Sequence, residues 1–265
     1  MPGADIDLRA IVGAVSDAAD RALTLWAGGQ TLVRQWEKVP GHPVCEADLE
    51  IDGMLRRTLG AIDPGAGWLS EETADTVHRL GLSRVWVVDP IDGTRDYLRG
   101  RTGWAVSVAL VEQGAVRVGI LAAPARNQLW LAQAGQGASR NGRALTAGTR
   151  NRLPGARVPA DHLPRYDSDL VTVEKPNSIA LRMAMVAADE ADLVATVRWG
   201  NEWDVAAAAL IAQESGAIVT DALGDPLSFN RPQPTAFGLL CAAPGIHGAA
   251  ADRLAPRARD LLARG

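Results

Sequence analysis

Three consecutive strand-like runs, separated only by short turns, constrain the fold of this chain more than any other feature of its sequence. The runs cover residues 104–111, 116–122 and 128–132, and the connections contain Gln-Gly, Pro-Ala-Arg-Asn and Gly-Gln-Gly. Connections this short cannot hold the crossover that parallel neighbours need. The pattern therefore predicts an antiparallel meander, to which Asn141-Gly142 adds a further tight-turn signal.

Segments with helical periodicity lie on both sides of this meander. Apolar residues recur at helical spacing over residues 6–26 and 46–59. Beyond residues 148–168, which are rich in Arg, Pro, Asp and Gly, predicted helices and strands alternate. This mixture predicts an α/β (α+β) fold. We expect two halves, residues 1–147 with the meander and residues 148–265 with the alternating elements.

The charge balance and the cysteines exclude several classes of partner and environment. The chain has 265 residues, with 27 Lys and Arg against 31 Asp and Glu, a net charge of −4. Because it has no basic run and no long apolar run, we expect a cytoplasmic protein that binds neither nucleic acid nor membrane. Cys45 and Cys241 lie far apart in the sequence, so we predict two buried free thiols and no disulfide framework.

The residues that point to chemistry are acids at the end of a predicted strand. Asp89 ends an apolar run, and a proline turn brings Asp92 to the same side, with the carbonyl of Ile91 between them. Carboxylates and a carbonyl are oxygen ligands that suit Mg²⁺. Gly93 and Thr94 follow at a predicted helix start, where backbone N–H groups favour an anion. The stretch predicts a metal beside a phosphate, although an Asp-rich turn that caps a helix also explains it.

Two other junctions carry acids. Glu71 and Glu72 follow a short apolar stub, and Asp204 directly precedes an apolar helix predicted over residues 205–213. Taken separately, Asp204 has the place of a helix N-cap, and the two glutamates have the pattern of a solvated surface pair. If the three junctions meet in space, they form one cation site. The residue pattern alone leaves this open.

These motifs resemble the signatures of a known family. Asp89-Pro-Ile-Asp-Gly-Thr94, Ser70-Glu-Glu72 and Trp203-Asp-Val-Ala-Ala207 are similar, in order and spacing, to the three motifs of the inositol monophosphatase-like family. The resemblance covers nearly the whole chain. It implies a layered αβαβα sandwich with the site between its halves, and a lithium-sensitive phosphomonoesterase that uses two to three Mg²⁺ ions. It also implies a small phosphate ester as substrate and raises a homodimer as an expectation.

The resemblance implies a role for each matching residue. Its metal ligands are Glu71, Asp89, Ile91 (through the carbonyl), Asp92 and Asp204. Thr94, hydrogen-bonded to Asp48, resembles the pair that orients and deprotonates the attacking water, and Glu71 joins this pair as a catalytic residue. The residues implied to contact substrate are Glu71, Ile91, Asp92, Gly93, Thr94, Ser178 and Asp204. In such a site one metal activates water and the other stabilises the leaving alkoxide.

The predicted substrate depends on positions at which this chain differs from particular branches of the family. Inositol-specific members carry a glutamate seven residues before the aspartate of the Trp-Asp motif, and this chain has Val197 there. The form Leu69-Ser-Glu-Glu-Thr73, together with Glu202, resembles bacterial 3′(2′),5′-bisphosphate nucleotidases. We therefore expect hydrolysis of adenosine 3′,5′-bisphosphate to AMP. The alternatives are the phosphatases of inositol-1-phosphate, histidinol phosphate and fructose-1,6-bisphosphate and, outside enzymes, a regulatory binding protein on the same fold.

A bisphosphate nucleotide needs positive charge for its second phosphate and an aromatic surface for its base. The cationic candidates are Arg95, Arg99, Arg101, Lys175 and Arg198. The aromatic candidates are Tyr97, Trp130 and Trp199, with core packing the simpler interpretation for Trp130. One further departure is Cys45, which replaces a threonine of the family next to Asp48 and is expected to alter local hydrogen bonding.

Overall fold

The computed structural model describes residues 6–26, 33–39 and 42–264. Its helices are α1 (Leu8–Trp26), α2 (Glu46–Ile62), α3 (Thr94–Leu98), α4 (Ile179–Ala187), α5 (Glu202–Glu214) and α6 (Pro244–Leu262). Its strands are β1 (Gln35–Val39), β2 (His42–Cys45), β3 (Gly67–Ser70), β4 (Arg84–Asp92), β5 (Ala105–Glu112), β6 (Ala115–Ala123), β7 (Gln128–Gln133), β8 (Ala138–Arg140), β9 (Arg143–Ala144), β10 (Arg157–Pro159), β11 (Val171–Val173), β12 (Leu193–Asn201), β13 (Ile218–Thr220) and β14 (Thr235–Ala242).

The larger sheet has seven strands in the order β3-β4-β5-β6-β7-β8-β9, and only β3 runs parallel to its neighbour. The predicted meander is therefore present, as β5, β6 and β7. Successive residues of β4 pack in opposite directions. Trp86 and Val88 join the core with α1 and α2, whereas Val85 and Val87 join the core with α4 and α5. The sheet is thus covered by helices on both faces, which explains why β4 is apolar throughout.

The smaller sheet, in the order β12-β14-β13, lies on the other side of α4 and α5. Along β14, Leu239 and Cys241 pack towards these helices, whereas Leu240 and Ala242 pack towards α6. The helices and sheets therefore form five layers, in the order helix, sheet, helix, sheet, helix. The expected αβαβα sandwich is confirmed. Helix α5 lies very close to β6: a Cβ atom added at Gly119 would be 2.5 Å from the carbonyl oxygen of Ala207.

The structure differs from the sequence-based expectations at particular places. Strand β4 continues through Pro90 to Asp92, because its pairing with β5 is irregular there and a proline without an N–H group is tolerated at such an irregularity. Residues 148–168 contain β10, so this stretch is not only a connection, and the division at residue 148 stays a prediction. Cys45 and Cys241 are buried free thiols, as predicted. None of the described helices is long and apolar enough to cross a membrane.

Candidate active site

The end of β4 brings two acids to one buried place. Asp89 and Asp92 are only 2% and 7% exposed. The Oδ1 atom of Asp89 accepts a hydrogen bond from the N–H group of Ile91 at 3.0 Å, which tightens the turn between the two acids. The charge of Asp92 raises the pKa of Asp89, so the two carboxylates face a common volume. The sequence predicted this arrangement from the strand end and the turn.

Gly93 connects β4 to the short helix α3 in a conformation that other residues rarely adopt. Its φ angle is +97°, in the left-handed region that favours glycine. A Cβ atom at this position would lie 2.7 Å from the carbonyl oxygen of Gly103 and 2.9 Å from the backbone nitrogen of Ser178. Glycine is therefore needed both for the turn and for the close packing of three segments around the end of β4.

The contact between Thr94 and Asp48 that the resemblance implies is present. The hydroxyl oxygen of Thr94 lies 3.3 Å from Oδ1 of Asp48 and 3.0 Å from the carbonyl oxygen of Ile91. The other carboxylate oxygen of Asp48 accepts hydrogen bonds from the N–H group and the thiol of Cys45, at 2.8 and 3.0 Å. Cys45 thus takes a hydrogen-bonding place beside this pair. The catalytic role of Thr94 and Asp48 stays a prediction.

Glu71 comes directly after β3, and its N–H group donates to a carbonyl of β4. Asp52 on α2 holds the surrounding segment, because its two carboxylate oxygens accept hydrogen bonds from the hydroxyls of Ser70 at 2.5 Å and Thr73 at 2.7 Å. Asp52 was not among the predicted residues. Its spacing of four residues from Asp48, which places both on one face of a helix, is the signal that could have found it.

Asp204 reaches the same place from α5, although not as the N-cap that its position suggested. Asn201 is the N-cap, and Asp204 is the third helical residue of a capping box, with Oδ2 accepting from the Asn201 N–H group at 2.9 Å. The side chain of Asn201 also hydrogen-bonds this carboxylate. Its charge acts on Asp89, so the three junctions meet. We call the four carboxylates the acid cluster: Glu71, Asp89, Asp92 and Asp204.

Burial and mutual repulsion act together on the aspartates of the acid cluster. Burial, and then the charges of Glu71, Asp92 and Asp204, raise the pKa of Asp89 well above its ordinary range. Burial, and then the charge of Asp92, raise the pKa of Asp204 to about 8. Within the described residues, none of these three aspartates forms an ion pair with a lysine or arginine. Carboxylates that are enclosed together without a cation favour protonation or the binding of a metal ion.

The donor set of the acid cluster fits Mg²⁺ by its chemistry. All its donors are oxygens, most of them anionic, and burial together with mutual repulsion raises the pKa values of Asp89 and Asp204. Among the residues that the structure describes, no three acidic, histidine or cysteine side chains already form a metal cage. Asp89, Asp92 and Asp204 each accept a hydrogen bond from a backbone N–H group instead. A bound cation would remove that repulsion.

Ser178 supports Asp92 from the N-terminus of α4. Its side chain is fully buried, its hydroxyl donates to Oδ2 of Asp92, and its oxygen accepts from the N–H group of Leu181 at 2.9 Å. The N–H group of Ala180 donates to the same oxygen of Asp92 at 2.9 Å. These two bonds oppose the effect of burial, which nevertheless keeps the pKa of Asp92 raised. Because the hydroxyl is engaged and enclosed, the predicted contact of Ser178 with substrate stays a prediction that this burial disfavours.

A cavity of about 520 Å³ extends from Asp204 into the C-terminal part of the chain. Two of the predicted cationic candidates, Lys175 and Arg198, line it. Lys175 is paired with Asp161, whereas Arg198 is exposed and forms no ion pair within the described residues. Trp199 lines the same cavity and is 64% exposed. The cavity therefore offers one unengaged cation and one accessible aromatic face near the acid cluster.

The other aromatic candidates do not reach this cavity. Tyr97 is fully buried, and its hydroxyl donates to the carbonyl oxygen of Ala22 at 2.9 Å, so its expected stacking role is wrong. Trp130 is 1% exposed and belongs to the core, as the simpler interpretation predicted. The residues that line the cavity also do not include three of the cationic candidates, which are Arg95, Arg99 and Arg101.

Comparisons with known proteins agree with this geometry. The model of the inositol monophosphatase family matches residues 7–263. A Streptomyces griseus protein named glucose-1-phosphate thymidylyltransferase is 32% identical over 97% of this chain and 98% of its own length. An inositol-1-monophosphatase of Rhizobium meliloti is 31% identical over 76% of this chain and 83% of its own.

The solved structure of a Thermotoga maritima IMPase gives a TM-score of 0.79 at 25% identity, over 94% of this chain and 96% of that one. The Streptomyces protein carries the name of a transferase, so the assignment rests on the match along the whole chain and not on that name. Members of the matched family are generally Mg²⁺-dependent phosphatases of small phosphate esters. The chain belongs to the inositol monophosphatase family.

Proposed function

We propose that this chain is a Mg²⁺-dependent phosphomonoesterase that hydrolyses adenosine 3′,5′-bisphosphate to AMP and phosphate. The observation that carries the phosphatase assignment is the acid cluster, in which burial and the charges of neighbouring carboxylates raise the pKa values of Asp89 and Asp204. It lies beside the contact between Thr94 and Asp48. Loss of phosphatase activity on addition of EDTA, with recovery in excess Mg²⁺, is the first expectation.

The chain's own residues supply the proton path in this proposal. When bound by the acid cluster, two or three Mg²⁺ ions supply activation of the attacking water and stabilisation of the leaving alkoxide. The hydroxyl of Thr94 accepts the hydrogen bond of that water while it donates to Oδ1 of Asp48. As the water attacks phosphorus, its proton passes to the Thr94 oxygen and the Thr94 proton passes to Asp48; the bond from phosphorus to the ester oxygen breaks, and the leaving alkoxide takes a proton from a solvent water. Cys45 keeps the other oxygen of Asp48 in place.

Two observations support a nucleotide carrying a second phosphate. Trp199 is an exposed aromatic side chain on the cavity that begins at Asp204, and its ring meets Phe237 at 5.3 Å, which orients it. An accessible aromatic face of this kind can stack a base, with a contribution of about 1–3 kcal/mol. Arg198 precedes Trp199, and its unengaged guanidinium can bind a phosphate through two hydrogen bonds.

The interpretation of Glu202 as a mark of the nucleotidase branch has to be revised. Glu202 is 2% exposed and accepts hydrogen bonds from the N–H groups of Asn230 and Arg231 at 2.6 and 2.9 Å. It therefore does not face substrate and gives no support to the nucleotidase branch. Val197 packs against the core around α6, so the position of the inositol-binding glutamate presents an apolar side chain here. This second observation still favours a substrate other than inositol phosphate.

Inositol-1-phosphate is the second candidate, because the Rhizobium meliloti relative is an inositol-1-monophosphatase and the Thermotoga maritima structure is an IMPase. The decisive experiment measures phosphate release from adenosine 3′,5′-bisphosphate, inositol-1-phosphate, histidinol phosphate and fructose-1,6-bisphosphate in excess Mg²⁺. We expect kcat/KM for the nucleotide to exceed that for inositol-1-phosphate by at least ~10-fold, about 1.4 kcal/mol. A higher kcat/KM for another ester would identify that ester as the substrate in place of the nucleotide. Absence of phosphate release from all four esters would favour a regulatory binding protein.

A matched pair of variants tests the nucleotide contacts. Trp199→Ala should raise KM for adenosine 3′,5′-bisphosphate and leave hydrolysis of glycerol 2-phosphate unchanged, because only the first substrate has an aromatic ring to stack. Trp36→Ala is the control, since Trp36 is also exposed, at 42%, but lies on β1 and does not line the cavity. Equal effects of Trp199→Ala on both substrates would remove Trp199 from the substrate site.

A further inference from the structure

A buried arginine outside the acid cluster links two of the segments that carry it. Arg79 lies in the 3-10 turn Val77–Gly81, which follows the Glu71 segment, and its side chain is 1% exposed. A guanidinium without water must place its N–H groups on protein acceptors. The partners of Arg79 are therefore informative about what it holds together.

On its own segment, Arg79 makes a two-fold ion pair with Asp75, with Nε to Oδ1 at 2.7 Å and Nη2 to Oδ2 at 2.8 Å. Its other bonds cross to a distant part of the chain. Nη1 donates to the side-chain oxygen of Asn230 at 2.6 Å, and Nη2 donates to the carbonyl oxygen of Arg231 at 2.8 Å. Arg79 thus attaches the loop at residues 230–231 to the segment that follows β3.

The same loop is bound from its other side by Glu202. The two carboxylate oxygens of Glu202 accept the N–H groups of Asn230 and Arg231, and its own N–H group donates to the carbonyl oxygen of Pro234. Burial raises the pKa of Glu202, and the hydrogen bonds from the loop and the charge of Arg79 oppose that effect. We call the connected residues the arginine clasp: Asp75, Arg79, Asn230, Arg231 and Glu202.

The two ends of the clasp lie close in the chain to members of the acid cluster. Glu202 begins α5 and is two residues from Asp204. At the other end, a Cβ atom at Gly67 would be 3.0 Å from the Cβ atom of Arg79, so the turn packs directly on β3, after which Glu71 follows. The clasp is therefore a continuous set of hydrogen bonds from the start of α5 to the 3-10 turn, and that turn packs on the strand that precedes Glu71.

We infer that Arg79 is a positioning residue for the metal site, because it fixes the first turn of α5 relative to the segment that carries Glu71. This inference rests on the proposed function. The carboxylates of the acid cluster repel one another, so an attachment outside the cluster is needed to keep their backbones together before a cation binds. A positively charged residue inside the cluster would compete with the cation, whereas Arg79 satisfies its charge on Asp75 and leaves the cluster available.

The test compares Arg79→Met with Arg157→Met. Both substitutions remove a guanidinium that is ion-paired with an aspartate, but Arg157 pairs with Asp189 and Asp192 and has no bond to either end of the clasp. Mg²⁺ affinity is measured by isothermal titration calorimetry, and melting temperature is measured in EDTA. Both variants should melt at a lower temperature. Arg79→Met should also weaken Mg²⁺ binding by about 10-fold or more, the range for residues that orient metal ligands, whereas Arg157→Met should leave it within about 2-fold.

Two further measurements keep the inference falsifiable. If Arg79→Met does not fold, Asn230→Ala removes only the bond to Nη1, and we expect the same direction of change in Mg²⁺ affinity. Arg79→Lys keeps the charge but lacks the several fixed N–H donors of the guanidinium. Compared with Arg79→Met, it should recover melting temperature more than Mg²⁺ affinity. Wild-type affinity in Arg79→Met or, where that variant is unfolded, in Asn230→Ala would overturn the inference and leave the proposed function intact. Absence of Mg²⁺ binding in the wild-type protein would overturn both.

Discussion

Asp192 and Asp89 are both buried aspartates, yet their surroundings are opposite. Asp192 is 1% exposed and accepts hydrogen bonds from Arg150 at 2.9 Å and from Arg157 at 2.7 Å. Burial alone would raise its pKa, but the bonds and charges of the two arginines outweigh burial and lower it. Asp89 is 2% exposed and faces Glu71 and further acids, so that its pKa is raised.

The difference separates a carboxylate that holds the fold from carboxylates that we propose bind a metal ion. A buried charge that is fully paired contributes to the native state, and removal of one partner is costly. Enclosed acids without partners weaken the native state and are retained where they bind or react with something. Burial of an acid therefore does not by itself reveal the role of that acid. The charge of its neighbours distinguishes the two cases.

The largest effect is expected for Asp89→Asn. The change is nearly isosteric but removes a ligand charge, so kcat should fall by roughly 10³-fold or more, equivalent to about 4 kcal/mol of activation free energy. In EDTA the melting temperature should stay the same or rise, because one of the repelling charges is gone. Steady-state kinetics and thermal melts check the two halves of this prediction. A variant that is both inactive and strongly destabilised would mean that Asp89 supports the fold as Asp192 does.

Asp192→Ala should show the reverse pattern. It leaves Arg150 and Arg157 without their shared partner, and loss of one member of a buried pair costs about 3 kcal/mol of unfolding free energy. The activity of the folded fraction should remain near the wild-type value. Urea denaturation gives the first quantity, and kinetics at a temperature well below the transition give the second. Full stability with lost activity would break the comparison.

The two regions should also differ in their response to pH. A carboxyl group whose pKa rises from 3.8 unfolded to about 8 folded, as for Asp204, stabilises the fold at low pH, and that contribution is lost as pH rises towards 8. In EDTA the melting temperature should therefore fall as pH rises from about 4 to about 8 and level off above that. Excess Mg²⁺ and Asp204→Asn should each flatten the curve. A metal-free protein whose stability is constant or increases over this range would contradict the raised pKa.

The smallest effect is expected for Ser178→Ala. The substitution removes the N-cap of α4 and one donor to Asp92, so the unfolding free energy should fall by about 1 kcal/mol. Activity should fall further than this stability loss explains, because Asp92 loses its side-chain hydroxyl donor and keeps only backbone N–H donors. Ser178→Thr is the control, since it retains a hydroxyl. Unchanged kinetics in Ser178→Ala would show that the N–H group alone is sufficient to hold Asp92.

Much of this structure could be predicted from local patterns in the sequence. The meander and the acids at the end of β4 were expected, because turns and motifs depend on near neighbours, whereas the contact between Thr94 and Asp48 was expected only from the family resemblance. The capping role of Asn201 was missed, since the sequence also allowed Asp204 at that place. Asp96 illustrates the same limit. It had no predicted role, yet it is 8% exposed and accepts the N–H group of Asn177 at 3.0 Å.

The arginine clasp was not predictable in the same way. Nothing in the sequence distinguishes Arg79 from a surface arginine, and Glu202 was interpreted as a mark of substrate class. Each acquires its role only because a loop from a distant part of the chain lies between them. Partners that are separated by more than a hundred residues leave no periodicity or spacing in the sequence. Tertiary contacts of this kind decide which polar residues are buried.

The close approach of α5 to β6, where Gly119 meets Ala207, has a consequence for the order of folding. The strands of the meander pair with their immediate neighbours, which requires only small loops to close, whereas α5 reaches β6 after a much longer loop. Long loops cost more entropy before their contacts form. In refolding from urea, strand pairing in the meander should therefore precede the docking of α5, and phosphatase activity should return last, with the arrival of Asp204.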